Sequence, residues 1–448
     1  MQNPLSVAVI GSGVSGLSAA WLLSQSHRGE THRVTLYEKD DRLGGHCNTI
    51  DAPTAQECTP VDTGFIVYNE TNYPNLTALF AALGVATRPS PMSFAVSLRG
   101  GAIEYSSNGW GPFIGFGRNL LSPRFWSMGL DLLRFYHRAA KEIDLSPDAE
   151  IVTLGDYLDR RRYSEAFQRD HLLPEAAAIW STSVKDIRAY PACAFIRFFE
   201  NHGLFRFTGR PQWRTVIGGS QAYVRKLRAG LRGEVLLNCP VKSVRSLPDG
   251  VEIRDASGRT RRYDRVLIAA HSDQALAMLD APDPDQRALL SAIRYGTNHA
   301  VLHTDPSLMP RRAHAWSSWN YVGDGKRQGC AVTYWMNRLQ NLHTDQPLFV
   351  TLNPARRPAP AHIIWEGDYE HPCFTPEALR AQRRLWTIQG RGAIWFAGAW
   401  FGAGFHEDGL QAGLAAAEAM GAMRRPWSVP DESGRIVLAP PTPHEMAA

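Results

Sequence analysis

The sequence predicts an α/β fold in which a parallel-sheet domain, entered three times along the chain, is interleaved with a second, α+β domain. Three observations predict it. A strand, glycine turn, helix and second strand run from Val7 to Glu38; strand and helix segments of the same character lie between Gly218 and His271; and a strand, a small-residue turn and a helix run from Ala393 to Gly413. At 448 residues, with 44% hydrophobic and 20% charged residues, the chain is globular in balance and too long for one ordinary core.

Val7-Ala8-Val9-Ile10 reads as the first strand, Gly11-Ser12-Gly13-Val14-Ser15-Gly16 as the turn and Leu17 to Leu23 as the start of the helix. In such a turn the first glycine permits the tight bend and the second lets a pyrophosphate approach the backbone. The third lets helix and strand pack closely. Val34 to Glu38 is the second strand, and Glu38 falls about twenty residues past the glycines, where a carboxylate accepts ribose hydroxyls. This order makes an ADP-containing dinucleotide the expected ligand, with Gly11, Gly13, Ser15, Gly16 and Glu38 as its contacts.

Further along, Val61 to Tyr68 fits a short strand, Asn69 to Asn75 a polar turn, and Leu76 to Leu83 a helix. Residues 90–205 lack dinucleotide signals and hold helical stretches such as 125–143. Gly218-Gly219-Ser220 opens a helix, Glu234 to Val244 reads as one strand with its turn, and Val251–Ile253 with Asp264–His271 as a strand pair. These features place the cofactor domain at 1–75, 208–275 and 388–425, the substrate domain at 76–207 and 276–387, and a surface tail at 426–448, where proline rises and periodicity is lost.

The acid at Glu38 runs through Lys39 and Arg42-Leu43-Gly44-Gly45 into His46. This arrangement resembles FAD enzymes of the glutathione-reductase-like superfamily, in particular the amine oxidase and phytoene desaturase branch. The resemblance implies a Rossmann FAD-binding domain with an interleaved substrate domain. It implies that the glycine pair passes beside the flavin and that Val241 and Ala270 lie on strands returning to the cofactor. It further implies that Gly398, Phe405, Glu407, Asp408, Gly409 and Leu410 enclose the flavin, with a helix N-terminus facing the charge of its reduced form. Lys39, Arg42, Gly44, Gly45 and His46 complete the expected cofactor contacts. No cysteine lies in residues 396–413, so FAD is expected to be non-covalent. Amine oxidases usually carry a Tyr about where Phe405 stands and a Lys reaching the flavin; neither is assignable here.

Asp62-Thr63-Gly64-Phe65-Ile66-Val67-Tyr68-Asn69, Phe198-Phe199-Glu200-Asn201-His202-Gly203, Tyr334-Trp335-Met336-Asn337 and Gly404-Phe405-His406-Glu407-Asp408-Gly409 are similar to a bacterial group of FAD-dependent proteins. These are often encoded beside cyclopropane-fatty-acid-synthase-like methyltransferases. That resemblance implies modified, including furan, fatty acids as the chemical setting and a neighbouring methyltransferase as a partner.

A flavin oxidising a carbon chain needs the donor C–H held against the ring by apolar walls. Trp180, Phe199, Trp316, Trp319, Tyr334, Trp335, Trp400 and Phe405 are candidate walls, with core packing as the other reading of each. His46, His202 and His406 are the proton-transfer candidates. His406, Trp400 and Tyr334 are the expected catalytic set. A lipid acyl or isoprenoid chain is the expected substrate, a small amine the alternative, and a flavin-bound partner protein without turnover a third reading.

The formal charge of +5 is modest and no basic run suggests a nucleic-acid groove. Six scattered cysteines show neither ligand spacing nor a disulfide framework, so no metal is expected. The first residues lack the charged and apolar regions of a signal peptide, and no apolar run reaches about 18 residues. A cytoplasmic protein is expected. The aromatic and leucine-rich segment Trp110 to Tyr136, with Arg118, Arg124 and Arg134, fits either a helix packed on its own domain or a peripheral membrane contact.

Overall fold

Five parallel strands form one sheet, in the order Gly233–Leu236, Arg33–Tyr37, Ser6–Ile10, Arg265–Ile268 and Ile394–Phe396. The computed structural model describes residues 4–25, 32–54, 58–107, 121–144, 150–206, 208–323 and 331–438. Ser6–Ile10 sits in the middle and every residue of it is buried, as a parallel strand covered on both faces must be. The helix Val14–Leu23 is buried on all sides. It is pressed between that sheet and the helix His406–Ala419, so it has no polar face to spare. Gly413 makes the approach possible: a Cβ there would lie 2.2 Å from the Ser15 carbonyl oxygen.

The second sheet has seven strands in the order Ile363–Cys373, Arg294–His303, Phe349–Leu352, Val332–Trp335, Trp319–Gly323, Phe94–Leu98 and Ile103–Ser106. Only Trp319–Gly323 and Phe94–Leu98 pair in parallel. Beside it, helices between Pro123 and Asn201 pack round Phe135, whose ring meets Phe167, Phe199 and Phe205 at 5.4, 6.4 and 5.7 Å. The two halves are stitched by one buried carboxylate. Asp62 accepts hydrogen bonds from Ser220 N and Oγ, Thr49 Oγ1 and Gln340 Nε2, which joins segments nearly 280 residues apart. Burial pushes its pKa up to about 6.

Several sequence expectations are corrected. The strand and turn expected over Glu234 to Val244 are followed within that span by a second strand: Gly233–Leu236 belongs to the parallel sheet and Val241–Leu247 to a separate antiparallel one. Pro240 lacks the N–H a ladder needs and Asn238 turns at φ 50°, so the chain breaks between them. The break is useful, because Asn238 and Cys239 donate their N–H groups to Asp40 and Glu38 beside the nucleotide turn. Gly250–Asp255 and Arg265–Ile268 are not paired with each other; they lie in different sheets.

The tail from 426 is not a free surface segment as far as Leu438. Trp427 stacks on Trp21 at 6.3 Å, Ile436 is buried, and Arg435 binds Asp408 and the Asn72 carbonyl. Low periodicity hid these anchors, since they act one residue at a time. Residues 439–448, and residues 110–120 of the aromatic segment, lie outside the described residues.

Candidate functional site

A continuous cavity of about 1170 Å3 begins at the glycine turn and runs into the second domain. A single small-ligand site occupies roughly 300–1000 Å3, so there is room for a dinucleotide and a second molecule.

The nucleotide end is built from tight backbone. Gly11 adopts φ +98° and a Cβ on it would lie 2.7 Å from the Ala269 carbonyl oxygen. Gly13 differs: a Cβ there meets nothing within 4 Å, and the residue lines the cavity. The space a phosphate needs is thus the space an added side chain would fill. Gly16 does not line the cavity; its Cβ would meet the Gly11 carbonyl at 1.9 Å, so its role is helix–strand packing. Gly44 and Gly45, at φ +115° and +55°, fold back until Gly45 abuts Gly13.

Glu38 is buried, accepting from Ser12 N and Oγ through Oε2 and from Asp40 N through Oε1. Its carboxylate is therefore fixed at the cavity wall with acceptor capacity left on Oε1. Ser15, Lys39, Arg42, Gly44, Gly45, His46, Val241 and Ala270 all line the cavity as well. The sequence reading missed Tyr37, Lys242 and Gln274, which also line it. The donor set fits an ADP-containing cofactor: open backbone for the phosphates, a fixed acid for the ribose and three cations nearby.

The C-terminal motif is divided by helix geometry. Gly398, Trp400, Phe405 and His406 line the cavity; Glu407, Asp408, Gly409 and Leu410 do not. Successive helix residues turn by 100°, so only the leading residues of His406–Ala419 face inward. Glu407 points the other way and accepts from Asn75 N, Asn75 Nδ2, Leu76 N and Gln411 Nε2, capping the helix Pro74–Leu83. Asp408 accepts from Phe405 N at 2.7 Å, capping its own helix, and pairs with Arg435. Gly409 packs on Val14 and Ser15, and Leu410 is core. Their side chains are framework and face away from the cavity, so what this turn can offer a cofactor is its backbone.

Of the proposed catalytic trio, His406 is held by Tyr223 Oη at 2.6 Å and by Cys47 Sγ at 3.2 Å, both on Nε2, and its ring lies 3.8 Å from that of Phe65. Burial lowers its pKa to about 3, so it is neutral at physiological pH. Trp400 donates from Nε1 to the Ala270 carbonyl at 3.0 Å, and its indole occupies the space beside Gly398. Tyr334 meets Trp319 edge to face at 5.0 Å on the second sheet.

The second arm is walled by Ile179, Trp180, Phe198, Phe374, Phe405 and Leu352. Phe405 stacks on Phe198 at 4.8 Å and meets Trp180 at 6.2 Å. Trp319 is on the wall too, whereas Phe199, Trp316 and Trp335 are not. Phe199 is fully buried in the aromatic core, and Trp316 and Trp335 pack on each other at 5.5 Å.

His46 and His202 both line the cavity with a buried Nε2 that has no hydrogen-bond partner. Burial, then neighbouring histidines and Arg42, hold His46 well below the usual imidazole range; burial and Arg435 bring His202 to about 3. Sequence reading missed His371, 5.2 Å from His46 and lowered to about 4 by burial and His271. Nothing in the spacing of the strand Ile363–Cys373 marks it. The arm thus presents neutral rings and apolar walls beside the glycine pair.

A parallel α/β domain joined by one cavity to an apolar-walled domain fits a dinucleotide-dependent protein with room for a second molecule. Residues 14–328 match the model of the flavin containing amine oxidoreductases, and the chain belongs to that family. That family is one of flavin-dependent oxidoreductases. A carotenoid phi-ring synthase of Streptomyces griseus is 30% identical over 315 residues, 64% of this chain and 57% of that protein, so the match spans little more than half of that relative. Among solved structures, a putative protoporphyrinogen oxidase from Exiguobacterium sp. 255-15 superposes with TM-score 0.67 at 16% identity, covering 94% of this chain and 99% of the other. A CLA-producing fatty acid isomerase from P. acnes does so with TM-score 0.65, also at 16%, over 94% and 99%. These two share the fold.

Proposed function

We propose that the protein holds FAD non-covalently and oxidises, desaturates or oxygenates the apolar chain of a lipid-like molecule, an acyl or isoprenoid chain. The single observation that carries this reading is the aromatic and aliphatic arm that continues the nucleotide cavity past Phe405. Bound FAD would supply a two-electron acceptor for a C–H bond. The chain's own residues do the rest. Gly11 to Ser15 and Glu38 orient the cofactor, Trp180, Phe198 and Phe405 exclude water, and His46 and His371 are neutral bases beside the glycine pair. His406 is a positioning residue, since Tyr223 and Cys47 occupy its Nε2.

Acid precipitation tests the cofactor: free FAD in the supernatant supports the reading, and a yellow pellet overturns the non-covalent part. For the substrate, a panel of C12 to C18 acyl lipids and small amines is assayed for peroxide release and product mass. Family membership favours the amine alternative, which predicts turnover of amines alone. A flavin-bound partner of a lipid methyltransferase predicts no turnover of any chain.

The source of the chain is a membrane surface. Trp126, Leu130 and Leu133 of the helix Pro123–Glu142 are 51%, 67% and 45% exposed and fall on one stripe, which continues into His137 and Lys141. An apolar stripe ending in basic residues suits an anionic bilayer. No helix among the described residues is long and apolar enough to cross a membrane. Co-sedimentation with phosphatidylglycerol vesicles, lost in Trp126→Ser with Leu130→Ser, tests this; equal sedimentation of both forms refutes it.

A further inference from the structure

The cavity is also lined by polar groups that nothing above uses. Glu175 lies on the helix Leu173–Trp180, one turn from Ile179 on the same face, and both line the cavity. Its carboxyl oxygen Oε2 and the Nε2 of His171 are each buried without a hydrogen-bond partner and stand 3.5 Å apart. The tautomer of His171 follows from its other side. Tyr105 Oη donates to the Asp170 carbonyl at 2.7 Å, so it accepts from His171 Nδ1 at 2.9 Å, and Nε2 is a bare acceptor. Two bare acceptors facing each other repel, so Glu175 rests protonated. Burial drives both groups the same way, Glu175 up to about 7 and His171 down to about 4.

Arg210 lines the same cavity, is exposed, and stands close enough for its charge to act on Glu175. Its Nε donates to the Arg206 carbonyl at 2.6 Å and Nη2 to that of Leu204 at 3.2 Å, which fixes the fork and leaves donors free for a ligand. Tyr136, from the helix Pro123–Glu142, approaches Arg210 with its hydroxyl. The titratable groups facing Glu175 are therefore His171, Tyr105, Tyr136 and Arg210.

A ligand's ammonium end finds acceptors in Oε2 and Nε2 but is repelled by the fixed charge of Arg210 at the same site. A hydrocarbon end leaves the Glu175 proton and the remaining Arg210 donors without an acceptor from the ligand. An oxygen of a carboxyl group accepts the Glu175 proton and faces the Arg210 charge.

We propose that Glu175 and Arg210 form the receptor for the carboxyl end, as carboxylate or ester, of a substrate whose apolar chain runs along Ile179 and Trp180 toward Phe405. This rests on the apolar-chain reading of the cavity. The carboxyl group is anchored at Glu175 and Arg210 while the chain reaches toward Phe405, so the receptor sets which carbon is presented for oxidation.

Binding of dodecanoate, dodecanol and dodecylamine to the flavin-loaded protein is measured by calorimetry and by perturbation of the flavin spectrum. The wild type, Glu175→Gln and Arg210→Gln are compared after thermal melts and flavin content show all three folded and loaded. Expected are dodecanoate binding about tenfold or more tighter than dodecylamine, and a loss of about tenfold in Arg210→Gln at pH 6.5 with dodecanol unchanged. Wild-type affinity for dodecanoate falls as pH rises through about 7, where Glu175 ionises and repels the ligand, and Glu175→Gln abolishes that fall.

Vesicles of dilauroylphosphatidylglycerol separate the two sources: a spectral perturbation sensitive to both substitutions assigns the ester, and one with dodecanoate alone assigns the free acid. Tighter binding of dodecylamine, or dodecanoate and dodecanol binding alike in all three proteins, overturns the receptor and leaves the apolar-chain reading standing. Failure of all three C12 ligands to bind overturns that reading, and the receptor with it.

Discussion

Replacing Gly13 by Val separates cofactor binding from folding. Gly13 has φ −59° and ψ 177°, a conformation any residue adopts, and a Cβ on it meets no protein atom within 4 Å. The apoprotein should therefore keep its stability to within about 0.5 kcal/mol. The isopropyl group fills the space where the pyrophosphate must approach the backbone N–H groups at the head of Val14–Leu23. Losing two charge-assisted hydrogen bonds costs about 3–6 kcal/mol, roughly 10²- to 10⁴-fold in Kd. Apoprotein is titrated with FAD by fluorescence quenching, and its urea midpoint is measured in parallel. Wild-type affinity in Gly13→Val would refute the placement of the cofactor at this turn. So would a loss of affinity that merely tracks unfolding.

Three further outcomes follow from the framework. Glu407→Ala strips the partners from Asn75 N and Leu76 N, and should destabilise by about 2–5 kcal/mol in denaturant melts. The refolded protein should still bind FAD with native affinity. Gly413→Ala drives a methyl group against the Ser15 carbonyl and should cost about 1–3 kcal/mol or more by overpacking, with flavin occupancy falling together with stability. The buried histidines make the protein acid-labile. His202 and His406, at about 3, and His171 and His371, at about 4, are neutral when folded, so their contribution is complete above the unfolded pKa near 6.5 and is lost as pH falls toward 4. Each adds a slope of about 1.4 kcal/mol per pH unit in that window, and His202→Asn should remove one such increment from the pH dependence of the urea midpoint. Asp62, raised to about 6, acts in the opposite sense, its contribution being lost as pH rises through that value.

The nucleotide half of the fold was legible because its chemistry is local. Gly11, Gly13, Gly16 and Glu38 sit at spacings dictated by one turn and two strands, and the structure places Gly13 and Glu38 on the cavity and Gly16 in the packing behind it. The C-terminal motif was legible only in outline. A run from Phe405 to Leu410 looks uniform as sequence, but helix rotation sends Phe405 and His406 inward and gives Glu407 and Asp408 to caps of two helices. The substrate arm was least legible. Glu175, His371 and Tyr369 line it from a helix and a strand far apart in sequence, and a side chain on a cavity wall leaves no period or spacing to read. The tail failed for a related reason, since Trp427 and Arg435 are single anchors in a segment without a repeating face.

The central claim is that an apolar chain gives its electrons to the flavin held at the glycine turn. Anaerobic mixing of the flavin-loaded protein with C12 to C18 acyl lipids, followed at the flavin absorbance band, tests it most directly. The account predicts bleaching by at least one acyl lipid and recovery of the band when an acceptor is admitted. Bleaching by amines alone, or an unchanged band with every acyl and isoprenoid chain offered, would contradict it.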